Sequence, residues 1–272
     1  MSVRSRECPV GRLGKAVCSL VAALVVIPAT TTLCQEQPPR LTFDVAVIRP
    51  GENKGGGGIK PLPGGNGYTV LNANVRLMIS LMYKVPVSQI IGGAAWLDSD
   101  PYDIEAKADG SHSIDDLHTM FQNLLADRFH LRFHKETREG PVYALTIDKS
   151  GLKMKPNLAP QDYKVAVTPN GFGIYAGTRV PMNYLAWFLG QQLQPDGRPV
   201  IDRTGLTGNY DFTLFFLPEL PPGTSRDNLS PELRDRPSLA EAIREQLGLN
   251  LQRENGPVEH FVIDQIDRPS DN

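Results

Sequence analysis

Apolar residues recur at helical spacing in four stretches of the chain and alternate with polar ones in several shorter runs. Leu77, Met78, Leu81, Met82 and Val85 follow Asn74, and Leu185, Leu189 and Leu193 follow Pro181, a residue favoured at a first helical position. Ser113 with Asp116 precedes Leu117, Met120, Phe121, Leu124 and Leu125. Ser238 with Glu241 precedes Ala242, Ile243 and Leu247, stopped by Gly248. The last two are capping-box starts, in which the serine oxygen and the acid three residues on satisfy orphan backbone N–H groups. Tyr102-Asp103-Ile104 and Tyr210-Asp211-Phe212 each open a short alternating run bounded by Gly and Pro, which predicts strands.

These elements fall in the same order twice, so the chain reads as two copies of one unit. Phe43-Asp-Val-Ala-Val47 matches Tyr163-Lys-Val-Ala-Val167, and Asn66-Gly67-Tyr68 matches Asn170-Gly171-Phe172. Further on, Phe129-His-Leu131 matches Leu249-Asn-Leu251, and Gly140-Pro-Val142 matches Gly256-Pro-Val258. The order β-β-α-β-α-β-β in each half predicts an α+β fold of largely antiparallel sheets with helices packed on one face. The first unit spans 40–156 and the second 160–270, either as separate units or as one compact pseudo-duplicated domain. This matching makes the glycine-rich stretch from Gly51 to Gly65 an excess of 16 residues in the first copy, and Pro218 to Pro237 an insertion in the second. Both are expected to be surface excursions, where binding function tends to reside.

Composition adds a compartment. The chain has 272 residues with 28 Lys and Arg against 30 Asp and Glu, an ordinary globular balance. Residues 1–34 depart from it, with Arg4, Arg6, Arg12 and Lys15 against Glu7 alone, followed by an apolar run from Ala16 to Ala29. That run is shorter than the roughly 20 residues a spanning helix needs, so it predicts a secretory signal peptide cleaved between Ala29 and Cys34. Acylation at Cys34 and an uncleaved anchor are the other readings of the same signal. Cys8, Cys18 and Cys34 all lie in this segment, so the exported chain is held by its core rather than by disulfides. Residues 35–156 carry 14 basic and 14 acidic residues and residues 157–272 carry 10 and 15, which offers nucleic acid no net basic face.

Candidate chemistry is sparse. The glycine stretch carries Lys54 and Lys60, which could contact an anionic ligand, but G-x-x-x-x-G-K-[ST] is absent. In Phe129 to Arg138, strand alternation would place His130, Arg132, His134, Glu136 and Arg138 on one face, and His130, His134 and Glu136 could ligate zinc. Arg132 between them opposes a dication, and a solvated, cross-strand-paired face is the competing reading. Asp103 and Asp211, one in each half, could form a shared acid dyad. The alternative is that each accepts nearby backbone N–H bonds. Trp96, Trp187, Tyr102 and Tyr210 read as core. No motif implies a cofactor.

Phe43 to Pro50, Gly92 to Leu97, Leu124 to Phe129, Asp202 to Phe212 and Glu245 to Leu249, in fixed order, resemble a large paralogous family of uncharacterised exported bacterial proteins expanded in soil acidobacteria. The resemblance covers essentially the whole chain after the signal peptide and implies export and architecture, with no catalytic residues to carry over. Some relatives join a similar domain to a membrane metallopeptidase of the β-lactam-sensor type, which this chain lacks. The expectation is a non-catalytic envelope or extracellular protein that binds a protein or small molecule through loops. A hydrolase using paired carboxylates or histidines, and an envelope sensor or assembly module, are the alternatives.

Overall fold

Alternation and capping shape the elements that hold the core. The computed structural model describes residues 40–52, 56–193, 197–220 and 223–269. Residues 1–34, expected from the sequence to be a signal peptide, and Lys54 lie outside the described residues. Strands β1 (Val45–Pro50), β2 (Gly58–Pro61) and β3 (Gly67–Asn74) lead into helix α1 (Val75–Tyr83), then β4 (Ile90–Gly92), α2 (Trp96–Ser99), β5 (Pro101–Lys107), α3 (Ile114–Arg128) and β6 (Arg132–Ile147). Next come β7 (Lys155–Asn157), β8 (Val167–Pro169), β9 (Ile174–Pro181), α4 (Met182–Gln192), β10 (Val200–Asp202) and β11 (Asn209–Phe215). The chain ends with α5 (Pro231–Arg234), α6 (Leu239–Ala242), a π turn at Ile243–Leu247 and β12 (Leu249–Gln265).

In β5, Tyr102, Ile104 and Ala106 point inward while Glu105 and Lys107 point out, and β11 repeats this with Tyr210, Phe212 and Leu214. Asn74 caps α1 by accepting from the Leu77 N–H, and Ser113 caps α3 by accepting from the Asp116 N–H. The full reciprocal capping box forms at Ser238 and Glu241.

The molecule is α+β, and most of its strand pairs are antiparallel. Its first sheet has the order β1-β5-β3-β2 and another has β7-β11-β9-β8. Corresponding strands therefore occupy corresponding places, but they differ from the pairs that sequence matching selects. Val45 to Val47 lie in β1, on the β5 edge, whereas Val167 lies in β8, on the β9 edge. By register, Ile48-Arg49-Pro50 corresponds to Met154-Lys155-Pro156, since Arg49 faces Asp103 and Lys155 faces Asp211. Tyr68 corresponds to Tyr175 rather than Phe172, because Pro61 faces Tyr68 and Pro169 faces Tyr175.

That correction removes the supposed glycine excess. Residues 51–57 join β1 to β2 and residues 158–166 join β7 to β8, and the glycine-rich stretch itself contains β2. Phe-Asp-Val-Ala-Val and Tyr-Lys-Val-Ala-Val look alike because any half-buried strand alternates in this way.

The central sheet ties the two parts of the chain together. Its order is β10-β6-β12-β4, with β6 and β12 antiparallel from Leu249 opposite Ile147 to Gln265 opposite Arg132, and Gly140 facing Gly256. The edges are exchanged: β4 runs parallel to β12, and β10 runs parallel to β6. The core follows the same exchange. One apolar cluster, built on α1 and α3, includes Phe261 and Ile263 from β12, and the other, built on α4 and the C-terminal helix, includes Leu145 from β6. Residues 40–272 form one compact unit.

Candidate functional site

The two Tyr-Asp carboxylates act on backbone. Asp103 Oδ1 accepts from the N–H of Asn72 at 2.7 Å, and Asp211 Oδ1 accepts from the N–H of Arg179 at 2.8 Å. Asn72 and Arg179 have φ of 48° and 53° and sit at bulges in β3 and β9, where the ladder leaves an amide without its regular partner. Asp211 also accepts from Asn157 Nδ2. The structure does not bring the two acids together: Asp103 lines a groove with Arg49 and Glu105, and Asp211 lines a different one with Lys153 and Lys155.

His130 is not part of the β6 face. It precedes the strand at φ 53° and pairs with Asp267 at 3.4 Å. His134 uses both ring nitrogens, Nδ1 to Asp264 at 2.8 Å and Nε2 to Glu136 at 3.1 Å, and Glu136 also binds Arg138. Hydrogen bonds to Glu136 and Asp264 raise the His134 pKa. This is a cross-strand polar network. Among the described residues no group of three or more His, Cys, Asp or Glu could hold a metal ion. Lys60 stands exposed on β2, opposite Thr69.

The chemistry that the structure does assemble lies where α1 ends beside α4. Lys84 caps α1 in the left-handed conformation at φ 54°, its N–H bonded to the Ser80 carbonyl. Its Nζ lies 2.9 Å from His118 Nδ1, and His118 Nε2 lies 3.1 Å from the Tyr68 hydroxyl. An ammonium only donates, so Nδ1 accepts, Nε2 carries the imidazole proton, and the Tyr68 oxygen receives it. Burial, reinforced by the Lys84 charge, lowers the His118 pKa to about 3. Burial also lowers the pKa of Lys84, opposed by the negative charge of Asp115. Tyr68 is pushed up by burial and by Tyr184, so it stays a phenol. Lys84 Nζ also stands over the Tyr184 ring, 5.9 Å from its centroid.

Lys84 opens onto a cleft of about 220 Å³. One face of α4 forms a wall through Asn183, Ala186, Trp187 and Gly190, spaced at i, i+3, i+4 and i+7. Gln89, in the turn after α1, and Asp202, at the end of β10, also line it. Gln89 is 7% exposed, and both Gln89 Nε2 and Trp187 Nε1 are buried without a hydrogen-bond partner. An unpaired buried donor costs about 1–3 kcal/mol, and both nitrogens are closed off from solvent. Asp202 Oδ1 is committed to the N–H and hydroxyl of Thr204.

Sequence reasoning missed this cluster, although one signal was available. His118 sits beside Leu117 on the apolar stripe of α3, a titratable group at a core position. Trp187, expected as plain core, proves to be a cleft wall with an unused donor.

No curated protein matches the chain, and no solved structure does. A family model described as a protein of unknown function (DUF3738) matches residues 76–266, from the first turn of α1 to the end of β12, and the chain belongs to that family.

Proposed function

We propose that this protein is an exported, non-catalytic binding module of the cell envelope or extracellular space, holding a small ligand in the cleft between α4 and the turn after α1. One observation carries the reading: the polar residues Lys84, Gln89, Asn183 and Asp202 line one cleft together with the apolar Pro86, Ala186, Pro199 and Val200. The volume of about 220 Å³ is below the range of about 300–1,000 Å³ of drug-sized pockets, which favours a small ligand. With a pKa near 3, His118 is neutral at pH 7 and serves as the acceptor that orients Lys84, not as a proton carrier. Export rests on the basic and apolar pattern of residues 1–34. The reading includes the finer family placement, an exported paralogous set expanded in soil acidobacteria, and descent of the two similar sheets from one doubled unit.

A thermal-shift screen of small acids, amides and sugars tests the binding site. At least one compound should raise the melting temperature of the native protein and leave Asn183→Trp, which fills the cleft from an exposed position, unmoved. Hits that stabilise both proteins equally would contradict the cleft assignment. N-terminal sequencing of the protein from envelope and medium fractions should give a start between residues 30 and 35; an intact Met1 in the cytoplasm would contradict export.

A further inference from the structure

We infer that the cleft takes a neutral, polyhydroxylated ring of monosaccharide size, an assignment that rests on the binding reading above and names its ligand class. Charge decides first. The lining holds one cation, Lys84, and one carboxylate, Asp202, and Asp115 acts on Lys84 from α3 as well. The lysine charge is therefore met within the protein, which leaves no cation to seat an anion or the carboxylate of a zwitterion. A cationic ligand would share the cleft with the Lys84 ammonium, and like charges repel. A molecule without charged groups meets neither cost.

Hydrogen bonding then narrows the class. Asp202 Oδ1 is taken by the N–H and hydroxyl of Thr204, so Oδ2 is the acceptor it offers. Asn183 is exposed and its Oδ1 accepts from the Tyr184 N–H at 2.8 Å, so it offers the Nδ2 donor. A hydroxyl donates and accepts through one atom, so neighbouring ring hydroxyls can serve both. The rest of the lining is carbon. Trp187 is half-buried with its only polar side-chain atom, Nε1, closed off, so the surface its side chain gives the cleft is hydrocarbon. Pro86, Pro199 and Val200 add no side-chain donor or acceptor. Such a wall suits the C–H bonds of a sugar ring, which the negative face of an indole attracts. A volume of about 220 Å³ suits one ring rather than a chain of them.

Isothermal titration of the native protein with glucose, galactose, mannose, xylose and N-acetylglucosamine tests this. At least one should bind saturably. Glucuronate, glucosamine and alanine should bind at least tenfold more weakly than that sugar, and cyclohexanol, a ring with one hydroxyl, without saturation. Asp202→Asn keeps an oxygen for Thr204 and should weaken the sugar by about tenfold, as expected for loss of a hydrogen bond to a charged group. Near-UV circular dichroism shows whether the variant keeps its packing. No saturable binding by any of the five sugars, equal or tighter binding of a charged compound or of cyclohexanol, or an unaffected Asp202→Asn in a packed protein would each overturn the sugar assignment. If a compound of another class binds and Asn183→Trp blocks it, the cleft reading stands and only the ligand class falls. If Asn183→Trp leaves sugar binding intact, both fall.

Discussion

Lys84 Nζ donates to Nδ1 of His118 across 2.9 Å, at a point where burial and the lysine charge keep the imidazole neutral down to a pH of about 3. The unfolded chain has its histidines near the usual 6.5, so between these values the unfolded state binds a proton that the folded state refuses. His118 therefore contributes stability that is fully present above pH 6.5 and lost as the pH falls. The loss steepens below pH 6.5 toward the limit of one proton taken up by each unfolded molecule. His134, exposed and with a raised pKa, acts in the opposite sense, gaining stability as the pH falls toward 6.5, so it does not mimic the effect. Urea unfolding between pH 6.5 and 4.5 should show the decline in the native protein and a flatter profile in His118→Gln. Equal slopes would contradict the neutral buried imidazole.

Asp103 and Asp211 are predicted to matter for folding through their oxygens rather than their charge. Asp103→Asn and Asp211→Asn keep an oxygen for the bulge N–H and should cost less than the alanine variants. Asp103→Ala should lose about 1–3 kcal/mol, the cost of an unmet buried amide, and Asp211→Ala more, because Asn157 loses its partner as well. Denaturant midpoints check the order; Asn variants as damaging as Ala would show that charge dominates.

Gly248 ends the C-terminal helix at φ 69°, and a Cβ there would stand 1.9 Å from the Gly151 carbonyl oxygen. Neither atom can move freely, since the Gly248 carbonyl accepts from the Asp148 N–H and the Lys153 N–H is bonded to Leu247. Gly248→Ala should destabilise by more than about 2 kcal/mol, combining backbone strain with a backbone clash. Gly64, with a similar φ of 87° but open space around it, should lose only about 1 kcal/mol on the same change. Thermal unfolding of the pair separates strain alone from strain plus collision.

The exchanged edges predict that the two parts of the chain are not independent. Expressed alone, residues 40–152 would leave β6 without β12 and β10, and residues 153–269 would leave β12 without β6 and β4. Each fragment should be protease-sensitive by itself, and the two together should form a resistant complex. Two separately resistant fragments would contradict the shared central sheet.

Local features were legible in the sequence because they are written in neighbouring residues. The alternation of Tyr102, Ile104 and Ala106 gave β5, and the capping pair Ser238 and Glu241 marked the start of the last helix. Long-range pairing was not legible. Nothing in Ile90-Ile91-Gly92 says that its partner is Phe261-Val262-Ile263 rather than a strand of its own part of the chain, since both are merely apolar. The counterpart of β1 in the other outer sheet was hidden because β7 is three residues long, too short to outweigh a generic Val-Ala-Val match. The cleft was not legible for a related reason: Lys84, Gln89 and Trp187 are brought together by that pairing, and each alone looks like a cap, a turn residue or core.

The central claim concerns the cleft wall, which the indole of Trp187 reports on. The chain has two tryptophans, so a nitrogen–proton correlation spectrum should contain two indole signals, assignable with Trp96→Phe. A compound that raises the melting temperature of the native protein but not of Asn183→Trp should move the Trp187 signal along a saturating curve, while the Trp96 signal stays in place. A Trp187 signal that does not respond to such a compound, or that shifts no more than that of Trp96, would contradict the account.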